Sequence, residues 1–95
     1  MIFIEITETE VSQKIEIKGH SDKGKEPCAR VTSAFEMFVN LLYKDRDYLE
    51  QKDGYSLIVT NVTPENKNQL EMAKRYFNSL ILHYPRTIKI ENRKV

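Results

Sequence analysis

The chain contains one cysteine, Cys28, and a histidine a short polar segment upstream of it, in Gly19-His20-Ser21-Asp22-Lys23-Gly24-Lys25-Glu26-Pro27-Cys28-Ala29-Arg30-Val31-Thr32. A thiolate attacks carbonyl carbon and an imidazole can take up and return a proton, so these two residue types are the parts of a cysteine nucleophile. Residue type alone is weak evidence, because a lone cysteine in a small protein is commonly an inert apolar residue. Placement singles Cys28 out. Pro27 lacks an N–H and fixes φ, which suits the first position of a helix, and it biases Glu26 toward an extended conformation. The helix is therefore expected to open at about Pro27, with Cys28 in its first turn. Backbone N–H groups there lack intrahelical partners and the helix dipole presents partial positive charge, a field that favours thiolate. The same N–H groups suit the oxyanion of a tetrahedral acyl intermediate.

Three further residues belong to this segment's chemistry. Asp22 is placed to orient His20, since a carboxylate fixes an imidazole's tautomer, or it is an ordinary turn residue. Gly24 gives the seven residues between His20 and Cys28 a hinge or a turn. Thr32 lies one helical turn after Cys28. The second histidine, His83, sits before Tyr84-Pro85 at a helix end, where a structural role suits it.

The elements that must hold these residues read as follows. Ile2, Ile4 and Ile6 alternate with Phe3, Glu5 and Thr7, and Ile15 and Ile17 alternate with Lys14, Glu16 and Lys18, which predicts an antiparallel hairpin. His20 shares parity with the polar residues of the second strand, so a straight continuation would aim it at the polar face. From Cys28 to about Leu49, Val31, Ala34, Phe35, Phe38, Leu41 and Leu42 form an apolar stripe at helical spacing, and Lys52-Asp53-Gly54 ends the segment with turn chemistry. Tyr55 to Val62 reads as an interior strand. Thr63 and Pro64 read as the N-cap and first position of a long helix carrying Leu70, Ala73, Phe77, Leu80 and Ile81, stopped at Pro85. Phe35, Phe38, Tyr43, Tyr76 and Phe77 are core or dimer-contact candidates. A last strand, Arg86 to Glu91, places Ile88 and Ile90 on one face. The expected fold is α+β, in the order ββαβαβ: one mostly antiparallel sheet with two helices, forming a single domain over residues 1–95.

Composition excludes several classes. With 95 residues the chain has one modest core, which a dimer would supplement. Fifteen basic and fourteen acidic residues give a net charge of +1 without a basic block, which is not a nucleic-acid signature. A single cysteine excludes an internal disulfide framework, and the lack of a CxxC pair or a His/Cys cluster at ligand spacing argues against a metal. No cofactor is expected. The N-terminal stretch has no signal-peptide pattern and no segment approaches membrane-spanning length, so a reducing, cytoplasmic setting without membrane attachment is expected.

Gly19-His20 at the end of the second strand, followed by a loop and a helix opening Cys28-Ala29-Arg30-Val31-Thr32, resembles the signature of the bacterial ribosomal-processing cysteine proteases, the Prp family. Tyr84-Pro85-Arg86-Thr87-Ile88-Lys89-Ile90 is similar to the family's ending, and the resemblance runs through nearly the whole chain. Thr32 stands where the family has Ser, and the loop between His20 and Cys28 is shorter. The resemblance implies a homodimeric thiol endopeptidase that removes an N-terminal extension from a large-subunit ribosomal protein, with Cys28 as nucleophile and His20 as general base. Gly19, Asp22, Gly24 and Thr32 would then support the site or bind substrate. Two alternatives accompany this expectation: a viral structural protein carrying a similar segment as substrate, and a catalytically inactive homologue acting as a protein-binding or ribosome-assembly domain.

Overall fold

The computed structural model describes residues 1–21, 24–41 and 46–95. Its element order is β1 (Ile2–Glu8), β2 (Ser12–Gly19), α1 (Glu26–Leu41), β3 (Arg46–Lys52), β4 (Tyr55–Asn61), α2 (Pro64–His83) and β5 (Ile88–Lys94). Among the described residues the strands form one sheet in the order β3-β4-β2-β1-β5. Every neighbouring pair is antiparallel except β1 with β5, which is parallel. The α+β class and the six expected elements are found in their expected order. The structure inserts one further strand, β3.

That strand corrects one boundary. The apolar stripe beginning at Cys28 was expected to run as helix to about Leu49, whereas α1 ends at Leu41 and Leu49 lies in β3, paired with Ile58. Leu41 is about half exposed, and Leu42 and Tyr43 lie outside the described residues. The last strand also starts and ends later than expected, at Ile88 and Lys94.

Alternation in the sequence sets the register. Ile4 faces Ile17, Ile6 faces Ile15, and Ile2 and Ile4 face Ile88 and Ile90, so the apolar positions of β1, β2 and β5 share one face. These isoleucines join Ile58 of β4 with Val31, Ala34, Phe35, Phe38 and Val39 of α1 and Leu70, Ala73, Phe77 and Leu80 of α2 in one core. Phe38 and Phe77 bring the two helices together, with ring centroids 6.2 Å apart. The opposite sheet face carries the charged positions and an exposed Phe3. No described helix is long and apolar enough to cross a membrane.

α2 starts as its sequence predicts. The Thr63 hydroxyl accepts the Asn66 N–H at 3.0 Å and Pro64 occupies the first turn. Buried polar groups are tied across elements, the Gln13 amide donating to the Asn66 carbonyl at 3.0 Å and the Asn66 amide to the Asn61 carbonyl at 2.8 Å. On the open face the Tyr55 hydroxyl donates to Glu16 at 2.5 Å, joining β4 to β2.

That bond has a pH signature. The Tyr55 hydroxyl, with Lys18 adding to it against the opposing effect of burial, holds the Glu16 carboxyl below its ordinary 4.5. In turn Glu16 pushes the Tyr55 phenol up to about 12. A lowered carboxyl stabilises the fold above its unfolded value and loses that contribution as pH falls through the folded one. A raised phenol stabilises below its ordinary 10.0 and loses that contribution as pH rises toward 12. Urea denaturation of wild type and Tyr55→Phe is expected to show a stability difference that is flat between pH 6 and 9, roughly 1 kcal/mol. The difference should shrink at both extremes. In the same assay Thr63→Ala is expected to cost about 1 kcal/mol through the lost cap.

Candidate active site

β2 ends at Gly19, whose φ of +96° lies in the left-handed region that glycine occupies without penalty. This residue answers the parity problem: His20 does not continue the polar face of β2 but lines a cleft on the helix side of the sheet. The cleft has a volume of about 300 Å3 and is walled by Ile17, Gly19 and His20 from the end of β2, Cys28, Val31 and Thr32 from α1, and Gln51 to Ser56 from the β3–β4 hairpin. A Cβ on Gly19 would overlap the Met1 carbonyl oxygen, so the turn is also closed sterically against larger residues. The Met1 amino group donates to the His20 carbonyl at 2.6 Å and fixes the backbone just beyond the turn.

Cys28 is half-buried in the first turn of α1. The helix starts one residue earlier than expected, at Glu26, so Pro27 is its second residue. The Ala29 N–H bonds the Lys25 carbonyl at 3.0 Å, and Cys28 therefore precedes the first bond of the helical ladder. The Ser21 N–H donates to Cys28 Sγ at 3.1 Å. This bond links the residue after His20 directly to the sulfur. An N–H aimed at sulfur is a contact that strengthens as the sulfur gains negative charge.

The remaining sequence candidates divide. Thr32 lies one turn after Cys28, exposed at the cleft wall. Gly24 has a φ of +101° and open space where a Cβ would be, so it serves the turn into α1 and does not line the cleft. Asp22, read from the sequence either as a residue orienting His20 or as an ordinary turn residue, lies outside the described residues. Glu26 faces elsewhere: it accepts the Tyr84 hydroxyl at 2.8 Å and Arg30 Nε at 3.1 Å, tying the start of α1 to the end of α2. Those two donors, Tyr84 foremost, hold its carboxyl below the usual range. His83 reaches the Ser79 carbonyl at 3.1 Å on its own helix, the structural role expected of it.

The β3–β4 hairpin supplies residues that sequence reasoning did not assign to the site. Asp53 Oδ1 is 3.8 Å from His20 Nε2, and Gly54, with a φ of +73°, lies against the imidazole. The signal was present in Asp53-Gly54, a dipeptide typical of tight hairpin turns.

The fold decides the comparison with known proteins. A crystal structure of the Staphylococcus aureus ribosomal processing protease Prp with a covalently linked product peptide superposes with a TM-score of 0.82, over 97% of this chain and 99% of that one, at 20% identity. The chain has the Prp fold. A second structure of S. aureus Prp, with a substrate peptide, gives a TM-score of 0.78 at 20% identity over the same shares, 97% and 99%. A Streptococcus mutans protein gives 0.73 at 16% identity, over 100% of this chain and 96% of that one. No family model matches the sequence, and neither does any curated protein.

Because His20 depends on the left-handed turn before it, Gly19→Ala is expected to destabilise the fold by roughly 1 to 3 kcal/mol. The check is urea denaturation together with an amide NMR map. Shifts should concentrate at residues 1, 2, 19–21 and 54. A neutral substitution would mean that the turn does not hold His20.

Proposed function

We propose that the chain is a cysteine endopeptidase that cuts an N-terminal extension from a large-subunit ribosomal protein. The observation that carries this reading is the convergence of His20 and Cys28 on one cleft, with the Ser21 N–H on the sulfur, in a fold shared with a protease solved in complex with peptides. The cleft is open and lined by both apolar and polar groups, which suits an extended peptide better than an enclosed small molecule.

In this reading Cys28 Sγ, as thiolate, attacks the scissile carbonyl carbon. A C–S bond forms as the carbonyl electron pair moves to oxygen, near the N–H groups at the start of α1. Collapse of this intermediate breaks the C–N bond, and imidazolium at His20 protonates the leaving amine. Water, deprotonated by His20, then attacks the thioester and releases the carboxylate product and the Cys28 thiolate. Thr32 and Gly19 line the region where the peptide would lie. The enzyme works as a homodimer in the cytoplasm, where a free thiol stays reduced. Support for the dimer is the small core together with the half-exposed Phe3 and Tyr48 on the uncovered sheet face.

Incubating the purified protein with a ribosomal protein precursor that carries an N-terminal extension, and reading product masses, is expected to show one cut within or just after the extension. Cys28→Ala and His20→Ala should each slow it by about 100-fold or more. Iodoacetamide should abolish cleavage as it labels Cys28. An intact precursor that is nevertheless captured equally by wild type and Cys28→Ala would identify a non-catalytic binding or assembly domain instead. Cleavage of a viral structural protein with a similar segment, and not of the ribosomal precursor, would keep the chemistry and replace the substrate. Light scattering is expected to give twice the mass of the chain; a monomer would remove the dimer from the account.

A further inference from the structure

Two side chains were expected to define the site, yet a third element touches the imidazole, and it is not the one on which Asp22 sits. The turn between β3 and β4 reaches the end of β2 through the Gly54 carbonyl, which accepts the Gly19 N–H at 3.0 Å. Gly54 then presents its bare Cα to the ring. A Cβ there would come within 2.7 Å of His20 Nε2, close enough to make the exposed ring shift, and 3.4 Å from both neighbouring ring carbons, at ordinary contact distance. Asp53, its side chain almost fully exposed, sets its carboxylate 3.8 Å from the same nitrogen, a through-space charge contact and not a hydrogen bond. The imidazole is otherwise largely exposed, with 60% of its side chain open to solvent. An exposed ring on a two-torsion side chain samples several rotamers unless a neighbour selects one.

We propose that the β3–β4 turn is the seat of the His20 imidazole: Gly54 supplies the space the ring occupies, and the Asp53 carboxylate, facing Nε2, favours the tautomer with its proton on that nitrogen. Nδ1 is then the basic nitrogen left for proton transfer. Asp53 and Gly54 are positioning residues, acting on the reaction through His20. A carboxylate that favours one tautomer of a histidine is a general device. Here it is mounted on a hairpin tip that the backbone bond to Gly19 keeps in register with the end of β2. The turn type makes the arrangement possible, because a φ of +73° at the second turn position calls for glycine, and the same absence of Cβ clears the ring.

The proposal rests on the peptidase reading for its consequence in catalysis, but the seat itself can be read without activity. In protein labelled with 15N on histidine, at a pH where the ring is neutral, the ring nitrogen shifts should report mainly the Nε2–H tautomer. Ring protons of His20 should show NOEs to the Gly54 α-protons. Asp53→Ala should shift the tautomer mixture toward Nδ1–H, and Asp53→Glu should restore it. Gly54→Asn and Gly54→Ala should both abolish the NOEs by displacing the ring. Asn tolerates left-handed backbone, so a folded Gly54→Asn that loses them separates the ring clash from turn strain.

In cleavage, Asp53→Ala is expected to lower kcat by about threefold to fivefold with KM unchanged, the scale of an exposed charge contact. Gly54→Asn should lower kcat by about tenfold or more, because displacing a reacting group by a fraction of a bond length is costly. The seat is overturned if the wild-type NOEs are missing, or if the tautomer mixture is the same in wild type and Asp53→Ala, whatever the cleavage rates. The NOEs and the tautomer shift, found in a protein that cleaves neither the ribosomal precursor nor a viral structural protein with a similar segment, would uphold the seat and remove the peptidase reading.

Discussion

A left-handed backbone at Gly19 is the constraint on which the candidate site depends. β2 is built by strict alternation, and simple continuation would have carried His20 to the charged side of the sheet with Lys14, Glu16 and Lys18. One residue with positive φ reverses that outcome and delivers the imidazole to the side where α1 begins. Around this turn the local contacts agree: the Gly54 carbonyl accepts the Gly19 N–H, the Met1 amino group donates to the His20 carbonyl, and the Ser21 N–H donates to the sulfur. Three consecutive residues, 19 to 21, thus connect the sheet, the hairpin and Cys28.

The scaffold holding this junction is ordinary in its physics. Apolar positions of β1, β2, β4 and β5 meet one face of each helix, and the two helices meet through Phe38 and Phe77. The junction sits at one end of that core, where Ile2, Ile17 and Val31 form the apolar floor of the cleft. The candidate groups are therefore at the rim of a packed body, with apolar side chains beneath to hold the walls in place. Glu26, two residues before Cys28, closes α1 onto Tyr84 at the end of α2.

Much of this was legible in the residues. The isoleucine alternation gave β1, β2 and their pairing, and Thr63-Pro64 gave the start of α2, because each of those signals is local and strong. The helix start near Pro27 was legible for the same reason. β3 was hidden: its residues Arg46-Asp47-Tyr48-Leu49-Glu50-Gln51-Lys52 are mostly polar, as an edge strand permits, and Leu49 happened to extend the helical period of the preceding stripe. Missing β3 also concealed that Asp53-Gly54 is a hairpin turn and not merely the end of a helix. Which side of the sheet His20 would take could not be read from parity, since the answer depends on one torsion at Gly19 and on the hairpin that β3 creates.

The most direct measurement of the central claim is acid-quenched mass spectrometry of the chain mixed with the extended ribosomal precursor, followed by peptide mapping. The account predicts a covalent adduct on Cys28 equal in mass to the released N-terminal fragment less one water, as a thioester requires, transient in wild type. Cleavage that proceeds with no adduct on Cys28, or an adduct that forms on another residue, would contradict it.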